Sequence, residues 1–274
     1  MDKNRWEEDL SMIEQALHHF LPDSNLPQKE LYDAMRYSLF CGGKRIRPVL
    51  TLEFCNLCGK DRQTALPFAC ALEMIHTYSL IHDDLPCMDN AEMRRGKKAN
   101  HKVFGEASAV LAGDALLTYA FEVALSEEAV QKVGADCATK AVRILAQAAG
   151  PAGMAGGQVL DLAAEGKRVS LDYLKRMDAC KTGALILAAA RMGCIVGGAN
   201  TSLRKAGEEY ARAIGLAFQI EDDILDVESS SEVLGKNAGS DRINEKSTYV
   251  SLLGLKSAKE MVENLTKQAV AALE

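Results

Sequence analysis

Two clusters of aspartate residues could bind a divalent cation. Each accompanies an apolar stretch, where like charges at helical spacing destabilise the helix unless a cation offsets them. Ligand sets made only of oxygen favour magnesium over zinc. The sequence therefore predicts two magnesium-binding clusters, which we expect to face each other across one cavity. They consist of Asp83, Asp84 and Asp89, and of Asp222, Asp223 and Asp226.

The two clusters place different demands on the backbone. The second fits a regular helix, because positions i, i+1 and i+4 lie close together. The first does not, since six residues turn a helix through about 240°. Pro86 lies between Asp84 and Asp89, removes a hydrogen-bond donor and restricts the residue before it. We predict that the helix frays near Asp84 and that the following loop brings Asp89 back.

Basic residues near the first cluster indicate a phosphate ligand. Arg94 and Arg95 follow it closely, and Lys44 and Arg47 stand at a predicted helix start, after two glycines. A solvated charged turn is the plain alternative for Lys44 and Arg47, but a helix start suits anion binding. His76 alone would be read as a core histidine. Its place two helical turns before Asp83 favours a position lining the site.

Bulk composition narrows the class of protein. The chain has 274 residues, 48% hydrophobic, and a net charge of −6, which argues against a general nucleic-acid binder but not against phosphates bound through metal ions. Its eight cysteines are scattered, so we expect free thiols, a reducing cytoplasm and a cytoplasmic protein. Cys55 and Cys58 predict buried thiols better than a zinc site. No uninterrupted apolar run reaches membrane-spanning length, so we expect a soluble protein without stable membrane insertion.

Apolar residues recur at intervals of three and four, which predicts an all-α fold in a single domain over residues 1–274. Glycines at 150–157 indicate a kink or a close approach to another helix. Lys181 and Thr182 interrupt an apolar helix and should point at an anionic group. The polar stretch 228–247 is a candidate lid. Predicted helices cover residues 30–40, 66–81, 105–125, 131–149, 171–190 and 208–227.

Eight short motifs stand in order along the chain. They are Gly-Gly-Lys-Arg-Ile-Arg-Pro at 42–48, Asp-Asp-x4-Asp at 83–89, Arg-Arg-Gly at 94–96, Gly-Asp at 113–114, Gly-Met-x-Gly-Gly-Gln-x-x-Asp at 153–161, Lys-Thr-Gly at 181–183, Phe-Gln-Ile-x-Asp-Asp-x-x-Asp at 218–226 and Gly-Lys-Asn-x-Gly-x-Asp at 235–241. Any one motif is weak or moderate evidence, but their order and spacing together are very specific. They resemble the trans-isoprenyl diphosphate synthase (polyprenyl synthetase) family over nearly the whole chain, most closely its bacterial short-chain farnesyl diphosphate synthases.

The resemblance implies an isoprenoid synthase fold, with antiparallel helices around a deep central cavity, and a homodimer. It implies head-to-tail condensation of isopentenyl diphosphate with dimethylallyl and geranyl diphosphate to give farnesyl diphosphate. The allylic C–O bond would ionise to a carbocation, the isopentenyl double bond would attack it, and the departing diphosphate would accept a proton. Three magnesium ions would be held by Asp83, Asp84, Asp89, Asp222, Asp223 and Asp226.

The resemblance also assigns the remaining ligands and the product length. Thr182 and Gln219 would stabilise the carbocation through their dipoles. Tyr78 and Ser79, just before the first cluster, would form the pocket floor, and the aromatic Tyr78 would stop the product at fifteen carbons. Allylic diphosphate would be bound by Arg94, Lys181, Lys236 and Lys246, with Thr182 and Gln219 nearby; isopentenyl diphosphate would be bound by Lys44, Arg47, His76 and Arg95.

Three departures and three alternatives remain. Relatives commonly have further aspartates at 90–92, a proline at Val250, and a further helix and basic tail beyond Glu274, so we expect the family's C-terminal end to be missing here. A geranylgeranyl diphosphate synthase of the same family is one alternative. A terpene cyclase fits less well, because its second motif normally carries Asn or Asp with Ser and Glu. A non-catalytic subunit of a heteromeric prenyl synthase would be expected to have lost carboxylates from one motif.

Overall fold

The structure is a computed structural model that describes residues 3–228 and 247–274. Its described part is almost entirely helical, which confirms the predicted all-α class. A two-stranded antiparallel hairpin, β1 (Met93–Arg94) and β2 (Lys97–Lys98), was not predicted. The helices are α1 Lys3–Phe20, α2 Lys29–Leu39, α3 Ile46–Leu57, α4 Leu66–Asp83, α5 Asn100–Phe104, α6 Glu106–Ala124, α7 Glu127–Val133, α8 Ala135–Ala149, α9 Met154–Ala164, α10 Leu171–Asp178, α11 Ala184–Gly197, α12 Thr201–Glu228, α13 Tyr249–Leu253 and α14 Leu255–Leu273. A 3₁₀ turn covers Arg62–Ala65 and a π-helical turn covers Ala179–Gly183.

The chain forms two compact units. The first comprises Met1–Val142 and Ile195–Gly198, and the second comprises Arg143–Cys194 and Ala199–Glu274. The first aspartate cluster lies in the first unit and the second cluster in the second. The prediction that the clusters face each other across one cavity, and that of a single domain, therefore stay predictions.

Helix α4 is the core of the first unit. It packs against α1, α3 and α6, and the side chains from Phe68 to Leu72 are all fully buried. A helix that is apolar all round is expected at the centre of a bundle, since it has no face for solvent. Helix α4 is therefore a rigid support for Asp83 and Asp84 at its C-terminal end.

Helix α12 organises the second unit. It packs along α14 and against the π-helical turn. Ile220 and Ile224 of α12 form a core cluster with Leu174 and Met177 of α10 and with Tyr249, which begins α13. Asp223 lies between these two isoleucines in sequence and is itself 6% exposed.

Two predicted helices are interrupted. The helix predicted over 131–149 is divided at Gly134, whose φ of 83° ends α7. The helix predicted over 171–190 contains the π-helical turn. The candidate lid at 228–247 lies almost entirely outside the described residues.

The glycine-rich segment makes the predicted close approach. A Cβ atom at Gly157 of α9 would lie 2.2 Å from the backbone nitrogen of Lys181. Only glycine therefore allows α9 to pack directly on the π-helical turn, because backbone atoms cannot move aside as a side chain can.

Two spans of the described chain, Glu106–Ala124 and Leu171–Gly197, are long and apolar enough by length and composition to cross a membrane. Within their apolar windows, 39% and 50% is buried. This is weak evidence, since core helices of globular proteins pass the same test. The expectation of no stable membrane insertion stays a prediction.

Candidate active site

The first aspartate cluster is shaped by the end of α4. The helix ends at Asp83, and Asp84 is its C-terminal cap. The chain then turns so that the backbone N–H of Asp89 donates to the carbonyl of Asp83 at 2.9 Å, and the N–H of Ala91 donates to the carbonyl of Asp84 at 3.2 Å. Asn90 adopts a left-handed φ of 47° within this turn. The prediction that the helix ends near Asp84 and the loop returns Asp89 is confirmed.

Asp84 and Arg94, which were assigned to different ligands, form an ion pair. Arg94 Nε lies 3.0 Å from Asp84 Oδ1, and its Nη2 makes a second, shorter contact to the same oxygen. Burial raises the pKa of Asp84, and the guanidinium of Arg94 opposes that rise. The β1–β2 hairpin places Arg94 here. A magnesium–diphosphate ligand would have to share or replace this pair.

The predicted isopentenyl diphosphate residues Arg47, His76 and Arg95 lie together in the first unit. Arg47 Nη1 is 3.4 Å from His76 Nε2. Burial, and then the nearby arginines, lower the pKa of His76 well below its usual range. The imidazole is therefore neutral, and because a guanidinium can only donate, Nε2 is its acceptor. The group carries an excess of positive charge, which suits an anion.

Glycines and arginines in the 42–48 motif have separate tasks. Arg95 Nη1 donates to the carbonyl of Gly42, and a Cβ atom at Gly43 would lie 2.6 Å from the Arg95 guanidinium carbon. Lys44 is exposed. Arg45 is buried, 2.8 Å from a Glu14 oxygen and 2.7 Å from a Glu73 oxygen. No role was predicted for Arg45 from the sequence. In the structure its ion pairs anchor the 42–48 motif to the buried Glu73 of α4.

The predicted pocket-floor residues lie on α4, one turn before the aspartates. The ring of Tyr78 contacts that of His82 edge to face, with centroids 5.7 Å apart. The hydroxyl of Ser79 donates to the carbonyl of His76 at 2.8 Å. Burial raises the pKa of Tyr78. Tyr78 is half-buried, and the hydroxyl of Ser79 is bonded within its own helix.

The π-helical turn in the second unit presents Lys181 and Thr182. Lys181 Nζ lies 2.6 Å from Oδ2 of Asp161 on α9. Thr182 Oγ1 donates to Gln219 Oε1 at 3.0 Å. Thr182 and Gln219, which were predicted to act together through their dipoles, are therefore in direct contact. The Asp161 carboxylate beside Lys181 was not predicted from the sequence.

The second aspartate cluster contains two buried carboxylates. Asp223 accepts a hydrogen bond from the backbone N–H of Tyr249 at 2.8 Å and one from Gln219 Nε2 at 3.4 Å. Asp226 is 5% exposed, and its Oδ1 has no hydrogen-bond partner among the described residues. An orphaned buried carboxylate oxygen is a fit for a cation. Asp222 is half-buried.

Asp178 was missed by sequence reasoning. It lies at the end of α10 and is 5% exposed. Burial raises its pKa to about 7; Tyr249 opposes the rise, Asp161 adds to it, and Lys181 opposes it. The available signal was a carboxylate three residues before Lys181 in an otherwise apolar helix face.

The described residues contain no preassembled group of three or more His, Cys, Asp or Glu side chains that could hold a metal ion. Magnesium does not need one, because it retains water and is bound by one or two carboxylates together with substrate phosphates. The all-oxygen donors therefore fit magnesium. Lys236 and Lys246 lie outside the described residues.

Comparison with known proteins identifies the family. A family model described as "Polyprenyl synthetase" matches residues 28–273. The chain is 49% identical over 253 residues to farnesyl diphosphate synthase of Geobacillus stearothermophilus, covering 92% of this chain and 84% of that protein. It is 50% identical over 253 residues to the heterodimeric geranylgeranyl pyrophosphate synthase large subunit 1, chloroplastic, of Arabidopsis thaliana, covering 90% of this chain and 68% of that protein.

Solved structures agree with these relatives. The apo structure of an FPP/GFPP synthase from Zymomonas mobilis superposes with a TM-score of 0.88 at 41% identity, over 99% of this chain and 91% of that chain. A geranyltransferase from Helicobacter pylori, complexed with magnesium and isoprenyl diphosphate, has a TM-score of 0.82 at 32% identity over 99% and 91% of the two chains. The chain has the isoprenoid synthase fold and belongs to the polyprenyl synthetase family of prenyltransferases.

Proposed function

We propose that this protein is a farnesyl diphosphate synthase, which condenses isopentenyl diphosphate with dimethylallyl and then geranyl diphosphate. The observation that carries the proposal is that α4 bears both the first aspartate cluster and His76. Its C-terminal end presents Asp83 and Asp84, with Asp89 returned by the turn, and His76 with its arginines lies seven residues earlier. That spacing is about 10 Å along the helix, which separates two diphosphate groups on one rigid support.

Magnesium ions, when bound by the aspartates, would offset the charge of the departing diphosphate. The rest is done by the chain's own groups. Arg94 and Lys181 are already beside carboxylates and can turn to the allylic diphosphate. Arg47 and Arg95 bind the isopentenyl diphosphate and fix the double bond towards the allylic carbon.

Thr182 and Gln219 offer oxygen dipoles to the developing cation, and an apolar cavity around the prenyl chain would exclude water that would quench it. Proton loss to the departing diphosphate completes the step. Lys44, Lys236 and Lys246 are proposed to bind diphosphate as well.

Product length is the finer part of the proposal. Tyr78, with Ser79 beside it, is proposed to close the pocket at fifteen carbons. Geranylgeranyl diphosphate synthase activity is the second candidate, because relatives at similar identity carry that name. Replacing Tyr78 with alanine should lengthen the product, as measured by chromatography of the dephosphorylated alcohols. An unchanged product profile would exclude Tyr78 as the pocket floor.

The activity test uses the protein with isopentenyl diphosphate, each allylic diphosphate and magnesium. Asp83→Ala and Asp222→Ala should abolish turnover and keep the helical circular dichroism spectrum. Asp172→Ala, an exposed acid on α10, is the matched control and should retain activity. If the wild-type protein forms no condensation product, the enzyme proposal fails, and a non-catalytic subunit becomes the better account although all six aspartates are present. A homodimer and a cytoplasmic location accompany the proposal.

A further inference from the structure

The position of Tyr78 depends on a second aromatic residue. This inference rests on the proposed role of Tyr78 as pocket floor. His82 follows Tyr78 by one helical turn on α4, and the two rings meet with an interplanar angle of 77° and centroids 5.7 Å apart. This is the favoured edge-to-face geometry of an aromatic pair. His82 therefore supports one side of the Tyr78 ring.

His82 is in turn held by α6. Its Nε2 lies 3.0 Å from the carbonyl oxygen of Val110. A carbonyl only accepts hydrogen bonds, so Nε2 carries the proton and donates it. The same nitrogen is 3.9 Å from Asp114 Oδ1. The imidazole is thus fixed by a neighbouring helix and not by α4 alone.

A glycine on α6 makes room for this ring. A Cβ atom at Gly113 would lie 2.1 Å from His82 Nε2 and 2.4 Å from its Cδ2. The imidazole fills the volume that any side chain at 113 would occupy. Because the ring is the far end of a rotatable side chain, a methyl group there would displace His82 before it displaced either helix.

We infer that His82, seated on Gly113 and Val110, is a positioning residue for product length. His82 acts through Tyr78, and we assign it no direct contact with the isoprenoid chain. The α6 contact holds the imidazole, the imidazole holds the phenol ring, and the phenol ring limits the depth of the pocket. His82 and Gly113, for which the sequence predicted no role, would thus help to set the length of the product.

The experiment is a double-mutant cycle on product ratio. His82→Ala should raise the ratio of twenty- to fifteen-carbon product roughly two- to tenfold, the range expected for loss of one edge-to-face aromatic contact. Gly113→Ala should shift the same ratio in the wild-type background and leave it unchanged in the His82→Ala background, where no ring remains to displace. Product ratios are compared at equal conversion of substrate. A disturbance of the neighbouring Asp83 by the substitution would change the rate of condensation but not the ratio of the two products.

His82→Gln is the second variant, in case His82→Ala does not accumulate. It keeps an N–H donor for Val110 and lacks the ring, and it should also lengthen the product. The inference is overturned if His82 variants keep the wild-type ratio while Tyr78→Ala changes it, or if Gly113→Ala has the same effect in both backgrounds. If Tyr78→Ala itself leaves the product unchanged, the inference falls with the pocket floor, even though the enzyme still condenses its substrates. Absence of any product from the wild type would instead refute the proposed function.

Discussion

Replacing Asp178 with asparagine should change how folding stability depends on pH. Asp178 is 5% exposed and its pKa is raised to about 7 from 3.8, chiefly by burial. Between these two values the folded protein holds a proton that the unfolded chain has released. The contribution of this group to the free energy of unfolding is therefore fully present below pH 3.8 and is lost as the pH rises to about 7.

The size of the effect follows from the shift. Each pH unit between the two pKa values changes the free energy of unfolding by about 1.4 kcal/mol. From pH 5 to pH 7 the wild-type protein should lose roughly 2 kcal/mol through this group, because in the folded protein the group is already half deprotonated at pH 7. Asparagine has the same shape and no charge to desolvate, so Asp178→Asn should gain that much relative to the wild type over the same interval.

Urea denaturation at pH 5, 6 and 7 measures this difference. Circular dichroism and the fluorescence of Trp6, the single tryptophan, should give coincident transitions before a free energy is assigned. Asp172→Asn makes the same chemical change at an exposed position of α10 and is the matched control. A constant difference between Asp178→Asn and the wild type at all three pH values would refute the reasoning.

Two further predictions concern a buried ion pair and the metal. Arg45→Met should lower the free energy of unfolding by about 3–5 kcal/mol, because it leaves the buried carboxylate of Glu73 without its cation. The control is Lys140→Met, at an exposed ion pair on α8, which should change the free energy of unfolding by at most about 0.5 kcal/mol. Equal losses for the two variants in urea denaturation would contradict the prediction. Chelation of divalent cations should stop condensation without unfolding the helices, and added magnesium should restore it; turnover that persists after chelation would exclude a metal-assisted reaction.

The sequence alone determined most of the helices, the residues of the two acidic clusters and the family. Helical periodicity is a property of residues three and four apart, so it is legible without knowing what packs where. The turn that returns Asp89 was predictable for the same reason, since Pro86 acts on its immediate neighbours. The close approach at Gly157 was signalled by glycine in a helix, although not the partner that it approaches.

The tertiary structure decided which charged side chains hold each other. Arg45 and Arg47 are two residues apart, yet one is buried against Glu14 and Glu73 and the other lies beside His76. Such pairings depend on which distant element supplies a group within about 3 Å, and no local pattern records that. The same holds for the Asp84–Arg94 pair, the raised pKa of Asp178 and the placement of His82 on Gly113, all of which arise only when separate helices or a hairpin come together.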